Sequence, residues 1–357
     1  MNRLLFVLIK QCRYFAMIFV VLTTIGVAQW SFGPSFITNT SDTSLLTYIS
    51  NNNITNKLFA SPQQTCSCTR PILKQKSNNL TKKSLCNAYS TSRGFHQRII
   101  SISMYGAKEN QRFIMNQTLQ YLHELIADMK KIYPGWILRI YHDTSIKQDI
   151  ICPIECEHND VDFCDINALT KLSDTNNYIP PKIWRFLPAG DELVDVMASR
   201  DLDSPLTQRE VDAVNEWLST DKAWHTMRDH PHHGIGMLGG TWGFRPALDR
   251  TFSRQLLQKM VNRRLISKYD KRHDQTFLGE HVWPNIQNNL IAHDSFTCAT
   301  RNGKNSQPWP SRRPAINGTG TACFVGCVRP CCGTIYTPFP KCPLKCRPKN
   351  HPDWLWC

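Results

Sequence analysis

Apolar side chains recur along the chain with two different periods, which alternate from residue 98 onward. The run RIISISMY at 98–105 is rich in β-branched residues and ends at Gly106, so it predicts a strand. Residues 111–131 place apolar side chains at helical spacing, and WILRIY at 136–141 predicts the next strand. This order, with short connections, predicts a parallel sheet covered by helices. The helical stripe consists of Met115, Leu119, Leu122, Ile126 and Met129.

The alternation continues into the second half of the chain. Val194–Ser199 is a short apolar run that leads into the polar sequence RDLDS. Thr207 and Glu210 have the spacing of a capping box, which predicts a helix that continues through Trp217. Further along, the segment 223–227 and a glycine-rich stretch at 234–243 are followed by predicted helices at 252–266 and 273–282 and a predicted strand at 290–292.

The first apolar run of the chain predicts a membrane segment. Three basic side chains precede the apolar residues 14–28, and the run extends to residue 32. A segment of this length with positive charge before it predicts a signal-anchor at 14–32, with the rest of the chain in the lumen. The alternative is a signal peptide cleaved after the small residues Gly26 and Ala28, which would give a secreted protein.

Composition separates two flanking segments from the central domain. Residues 33–93 are rich in Asn, Ser, Thr and Lys and are interpreted as a stem, in which Cys66, Cys68 and Cys86 are expected to close a small loop. Residues 301–357 are rich in Pro, Cys, Arg and Lys. The predicted organisation is a cytoplasmic tail at 1–13, the anchor at 14–32, the stem at 33–93, a catalytic domain at 94–300 and a basic tail at 301–357.

Cysteine content indicates the cellular compartment of the protein, and the distribution of charge limits the classes of partner that it can bind. The chain has 15 cysteines and a net charge of +14, but residues 94–300 hold 23 basic and 26 acidic side chains. A slightly acidic central domain disfavours nucleic acid as a partner. The cysteines favour an oxidising compartment, and disulfides rather than zinc are expected in the tail. Five Asn-x-Ser/Thr sequons agree with a lumenal chain, and they begin at Asn39, Asn53, Asn79, Asn116 and Asn317.

The triplet Asp201-x-Asp203 follows the predicted strand at 194–199 directly. Open α/β sheets bind ligands at the carboxyl ends of their strands. Two carboxylates at such a position are suited to one hard divalent cation. The same residues also occur in solvated turns, so the triplet by itself is a weak indication of a metal site.

Six short blocks together resemble the core of a nucleotide-sugar glycosyltransferase of the GT-A fold with a DxD motif, over about residues 95–298. The blocks are WRFLPA at 184–189, SRDLDS at 199–204, MRDHP at 227–231, LGGTWG at 238–243, DQTFL at 274–278 and HDS at 293–295. The resemblance implies a Rossmann-type mixed, mostly parallel sheet flanked by helices. It also implies transfer of a sugar from a nucleotide-sugar donor to a glycan or glycoconjugate acceptor.

The resemblance further implies a set of site residues. Asp201, Asp203 and His293 would hold Mn²⁺ or Mg²⁺, which would stabilise the departing diphosphate, although His293 is equally expected as an ordinary hydrogen-bonded histidine. Arg200 is expected either to contact the diphosphate or to form an internal ion pair. Trp184 and Arg185 are placed near the donor, with a core role as the alternative for Trp184.

The remaining candidates concern the sugar and the acceptor. Gly239 and Gly240 would allow a ligand to approach the backbone closely, or they form a plain turn. Asp274 and Asp229 are the candidates for a proton acceptor that activates the incoming hydroxyl in an inverting transfer, and Asp274 could instead be a helix N-cap.

Two other functions compete with this interpretation: a histidine-liganded metallohydrolase, and a lectin-like or structural protein. The cluster of His225, His230, His232 and His233 lacks the spacing of a metallohydrolase site. We therefore expect a metal-dependent glycosyltransferase in the Golgi or endoplasmic reticulum membrane. The alternative is a secretory lectin-like or structural protein that keeps the fold without catalysis.

Overall fold

The computed structural model describes residues 66–68, 70–71, 82–106, 112–170, 179–269, 273–298, 305–313, 324–329 and 340–357. The predicted anchor at 14–32 lies outside these residues. Within the described ranges, no helix is both long enough and apolar enough to cross a membrane.

The centre of the fold is one eight-stranded sheet with the strand order β3-β2-β1-β4-β6-β5-β7-β8. Strand β6 runs antiparallel to its neighbours β4 and β5, whereas the other pairs are parallel. The predicted α/β class with a mostly parallel sheet is confirmed. The strands are β1 Gln97–Met104, β2 Ile137–His142, β3 Val161–Asp165, β4 Val194–Ser199, β5 Trp224–Arg228, β6 Trp242–Phe244, β7 Leu290–Asp294 and β8 Ser306–Gln307.

Helices connect the strands and cover the sheet. They are α1 Ala88–Ser92, α2 Arg112–Ile132, α3 Gln148–Glu157, α4 Ile166–Thr170, α5 Pro181–Trp184, α6 Gln208–Leu218, α7 Arg250–Val261, α8 Arg263–Ile266, α9 Asp274–His281 and α10 Trp283–Ile286. Successive side chains of β1 point to opposite faces of the sheet, and apolar residues lie on both faces, so both faces are packed against other elements. Ile99 packs into one hydrophobic cluster, whereas Ile100 and Ile102 pack into the other.

Most of the predicted elements are present, and the departures have local causes. The helix predicted at 252–266 is divided at Asn262, whose extended backbone interrupts it and whose side chain accepts from the backbone N–H of Leu265 to cap α8. Thr207 caps α6 as predicted, by accepting from the backbone N–H of Glu210. The prediction omits α3 and β3, because β3 carries acidic residues and because α3 contains Pro153.

The cysteines of the segment interpreted as a stem are bonded to the sheet and its helices. Cys66 pairs with Cys152 and Cys68 with Cys156, both on α3, and Cys86 pairs with Cys164 on β3. The expectation that these three cysteines close a loop among themselves is therefore wrong. The physical reason is that residues 66–68 and 82–93 pack against α3, β3 and the loop before β4, where Leu85 and Cys86 are buried.

The described part of the C-terminal tail also packs onto the sheet. β8 pairs in parallel with β7, and two disulfides, Cys298–Cys346 and Cys342–Cys357, staple the end of the chain. The expected oxidation of the tail cysteines is confirmed for these residues, while Cys323, Cys331 and Cys332 lie outside the described ranges. Asp294, Cys298 and Cys346 place ligand atoms within 4.8 Å of one another, but the two sulfurs are bonded together and hence are not thiolate ligands.

Candidate functional site

The two acidic residues of the DxD triplet follow β4 at the carboxyl end of the strand. Ser204 N–H donates to the carbonyl of Asp201 at 3.3 Å, so the chain turns immediately after the strand. The Asp201 side chain is 42% exposed and is therefore accessible from solvent. Burial, followed by the charge of Asp201, raises the pKa of Asp203 above its ordinary value. The two carboxylates are thus close enough to repel each other.

Arg185 connects this turn to a third carboxylate. The residue directly follows α5, a short helix that begins at Pro181, and its backbone N–H donates to Ser103 Oγ at 3.1 Å. The guanidinium donates through Nη1 to Asp201 and through Nη2 to Asp274 at 2.9 Å. Burial disfavours its charge, but the two carboxylates outweigh burial and raise the pKa of Arg185. The cation is therefore permanent and is shared between two acids.

Asp274 is the first residue of α9, and the N-cap position belongs to His273. Its side chain is 3% exposed and is directed towards Arg185. The alternative of an N-cap role for Asp274 is not what the structure shows.

Gly239 and Gly240 lie directly against the two carboxylates. A Cβ atom at Gly240 would overlap the carboxylate of Asp201, and one at Gly239 would overlap that of Asp274 and lie 2.7 Å from Arg185 Nη2. The carbonyl of Gly239 accepts from Ser199 Oγ at 2.7 Å, which holds the segment against the end of β4. Glycine at both positions allows this close approach between backbone and charged side chains without displacing them.

Two candidates lie in the interior of the protein. Arg200 is 2% exposed and donates through Nε to Glu210 at 2.6 Å and through Nη1 to the carbonyl of Ser199 at 2.7 Å. It therefore forms the internal ion pair that was one of its two expected roles. Trp184 is buried, and its indole N–H donates to the carbonyl of Ile179 at 2.6 Å, so the core alternative holds for this residue.

Asp229 is fully buried in a different cluster. Its carboxylate accepts from Arg209, Arg313, Ser295 Oγ and the backbone N–H of Val325. Burial raises the pKa of Asp229, but the two arginines outweigh burial and lower it overall. Both oxygens are engaged within the described structure, so the geometry does not support Asp229 as the proton acceptor for an incoming hydroxyl.

His293 also lies away from the contacts of Asp201 and Asp203. Its Nδ1 is 2.7 Å from His225 Nε2, and its Nε2 is 3.2 Å from Glu216 Oε2 and 3.0 Å from Gln307 Nε2. Both ring nitrogens therefore have hydrogen-bond partners, and His293 would have to break one of these bonds to ligate a metal. The structure places it as a buried hydrogen-bonded histidine, which was the alternative expectation.

The loop histidines are held by the backbone and by an aromatic ring. The backbone N–H of His232 donates to His230 Nδ1, and that of Asp229 donates to His233 Nδ1, each at 3.1 Å. The rings of His230 and His233 pack against Phe324. Burial lowers the pKa of both imidazoles to about 4, so they are neutral near pH 7.

One charged residue of the site was not selected from the sequence. Lys182 on α5 acts electrostatically on Asp203 and lowers the pKa of that carboxyl, opposing burial and Asp201. Its position two residues before the WRFLPA block was the available signal. We call the five charged residues Lys182, Arg185, Asp201, Asp203 and Asp274 the Arg185 cluster.

No protein-family model matches the chain, and none of the curated proteins matches it in sequence. Solved structures that match include 4-diphosphocytidyl-2C-methyl-D-erythritol synthase from Anaerococcus prevotii, with 12% identity, a TM-score of 0.36 and coverage of 58% of this chain and 88% of that one. Mouse xyloside xylosyltransferase 1 in its apo form matches with 14% identity, a TM-score of 0.34 and coverage of 57% and 86%. Matches at this level assign no activity to the chain.

Proposed function

We propose that this chain is a nucleotide-sugar-dependent glycosyltransferase that acts on a glycan or glycoconjugate acceptor. One observation carries the proposal. Three sequence blocks that resemble GT-A enzymes converge on one guanidinium, because Arg185 contacts both Asp201 and Asp274. The cluster lies at the carboxyl end of β4, where α/β sheets bind ligands, and Gly239 and Gly240 keep side chains out of it.

Asp201 and Asp203 fit a divalent cation. One carboxylate is exposed and the other is raised in pKa partly by its neighbour, so a cation between them would relieve their repulsion. Carboxylate oxygens are ligands of Mn²⁺ and Mg²⁺. In this proposal the two aspartates would hold the metal, which would supply Lewis-acid stabilisation of the negative charge on the departing diphosphate.

Asp274 is the proposed proton acceptor for an inverting transfer. It is directed into the cluster, whereas Asp229 is saturated by hydrogen bonds elsewhere. The Arg185 guanidinium orients the Asp274 carboxylate, whose oxygens would accept the proton of an acceptor hydroxyl.

The disulfides support a proposal for the cellular compartment of the protein. Disulfides join residues 66–86 to α3 and β3 and join the last residues of the chain to one another. Such bonds are typical of lumenal or secreted proteins. We propose a single-pass type II protein of the Golgi or endoplasmic reticulum, with the secreted form as the alternative.

The experiment is a screen of nucleotide sugars for Mn²⁺-dependent hydrolysis and for thermal stabilisation of the purified lumenal chain. We expect one donor class to be hydrolysed by the wild type and hydrolysis to fall at least about a hundredfold in Asp201→Asn and Asp203→Asn, in line with the loss of a charge-stabilising group. Asp221→Asn is the matched control, because this aspartate is 88% exposed.

The proposal is contradicted if both single variants and the double variant bind nucleotide and transfer sugar as the wild type does in Mn²⁺. A wild-type chain that neither hydrolyses nor binds any nucleotide sugar, but binds glycans, would instead support the lectin-like alternative.

A further inference from the structure

We infer that Arg185 is an internal counter-ion which competes with the divalent cation for Asp201 and which then binds the donor diphosphate. This inference rests on the proposed function. It assigns to Arg185 a change of partner, from the Asp201 carboxylate to a phosphate oxygen of the donor.

Three acceptors hold the guanidinium of Arg185. Nη1 donates to the carbonyl of Arg200 at 3.1 Å as well as to Asp201, and Nη2 donates to Asp274. If Asp201 turns towards a metal, the carbonyl and Asp274 still fix the guanidinium. Arg185 therefore stays in the site when it loses one of its two carboxylates.

Arg185 also has unused hydrogen-bonding capacity. A guanidinium has five N–H donors. The side chain of Arg185 is only 8% exposed, yet its Nε–H has no hydrogen-bond partner among the described residues. A buried donor without a partner is costly, and a planar fork with a spare donor is suited to phosphate oxygens.

The Arg185 cluster has a net negative charge. Asp201, Asp203 and Asp274 oppose Lys182 and Arg185, so the cluster has a formal charge of −1. A diphosphate is repelled by this charge, whereas a divalent cation is attracted and changes the cluster to +1. The charges therefore favour an order in which the metal binds before or together with the nucleotide.

Two glycines line the Arg185 cluster, and their backbone lies close to its charged side chains. Gly239 lies against Asp274 and Arg185, and Gly240 lies against Asp201. Neither residue places a side chain between the guanidinium and the position of a ligand.

The experiment measures binding of Mn²⁺ alone, and then of nucleoside diphosphates (UDP, GDP and CDP) at saturating Mn²⁺, by titration calorimetry. In Arg185→Gln we expect Mn²⁺ to bind about tenfold more tightly, because a charge-assisted hydrogen bond no longer competes for Asp201. We expect the preferred nucleoside diphosphate to bind at least about tenfold more weakly, because its arginine partner is lost.

The matched control is Arg250→Gln. Arg250 also pairs with an aspartate and a carbonyl, Asp195 Oδ1 at 3.1 Å and Asp191 O at 3.2 Å, but at the other end of β4. The Arg250→Gln variant should leave the affinities for Mn²⁺ and for the nucleoside diphosphate unchanged. If Arg185→Gln does not fold, Arg185→Lys decides the question, because lysine keeps the charge but cannot contact two carboxylates through a fork. In Arg185→Lys we then expect Mn²⁺ to bind about threefold more tightly and the diphosphate more weakly, because the charge stays but the fork is lost.

The outcomes separate the two proposals. Equal or weaker Mn²⁺ affinity in the Arg185 variants, or unchanged diphosphate affinity, overturns the competition while leaving the glycosyltransferase proposal intact. A wild-type chain that binds neither Mn²⁺ nor any nucleoside diphosphate overturns the proposed function and this inference with it.

Discussion

The backbone N–H of Arg329 donates to the carbonyl oxygen of Asp203 at 2.8 Å. This bond joins the second acid of the DxD triplet to a residue 126 positions later in the chain. The Arg329 side chain forms ion pairs with Glu124 at 2.9 Å and with Asp128 on α2. The C-terminal segment thus supports the turn that carries the two aspartates.

Replacement of Arg329 tests this support. In Arg329→Met we expect a loss of about 1 kcal/mol of unfolding free energy, because two partly exposed ion pairs are removed. We also expect weaker Mn²⁺ binding, since the segment that holds Asp203 is no longer fixed to α2. Urea unfolding and calorimetric titration measure the two effects. Unchanged Mn²⁺ affinity would show that the segment does not support the site.

The close approach of Gly240 to Asp201 predicts the effect of one methyl group. In Gly240→Ala we expect Mn²⁺ affinity and transfer to fall at least about tenfold, because the new Cβ atom overlaps the Asp201 carboxylate and displaces it.

Gly279→Ala is the control for this change, since Gly279 lies inside α9 with no heavy atom near the position of a Cβ. Alanine there should raise stability by up to about 1 kcal/mol through its helix propensity. Binding and thermal unfolding of both variants provide the comparison, and a Gly240→Ala protein with full Mn²⁺ affinity contradicts the geometry.

The buried carboxylate of Asp229 predicts a large and pH-dependent effect on stability. Asp229→Asn should lower the free energy of unfolding at pH 7 by about 3–5 kcal/mol, because Arg209 and Arg313 lose their buried counter-ion.

The folded pKa of Asp229 is below its ordinary value, so its stabilising contribution is complete above pH 4 and is lost as pH falls through the folded value. The difference between wild type and variant should therefore shrink on acidification below about pH 4, the ordinary range of an aspartate. Urea unfolding from pH 7 to pH 2 measures it, and a constant difference over that range would contradict this account.

The buried pair of His225 and His293 predicts a second pH dependence. Burial lowers the pKa of both imidazoles, so the unfolded state binds more protons below pH 6.5 than the folded state. Stability should fall as pH decreases from about 6.5, where an ordinary histidine titrates, towards the folded pKa values.

His225→Phe tests this pair, because the ring stacks on Trp217 and a phenyl ring keeps that contact. We expect a cost of about 1–3 kcal/mol at pH 7, since His293 Nδ1 loses its partner. The cost should be smaller at pH 5, because one titrating histidine is gone. Thermal unfolding at both pH values measures this, and an equal cost at each would show that folding does not lower the pKa of His225.

Local sequence determined the elements and the triplet. The apolar period at 194–199 located β4 at the observed bounds, and it placed Asp201 and Asp203 directly after the strand. Thr207 and Glu210 located the start of α6. These predictions succeed because period, capping and strand termination depend on residues only a few positions apart.

The tertiary structure alone decided which of the candidates meet. Arg185 and Asp274 are 89 positions apart, and they come together only because α5 and α9 pack at the same end of the sheet. The same packing buries Asp229 among arginines, turns His293 towards His225, and joins Cys66, Cys68 and Cys86 to distant cysteines. Short blocks carry no information on strand order, and strand order sets these distances.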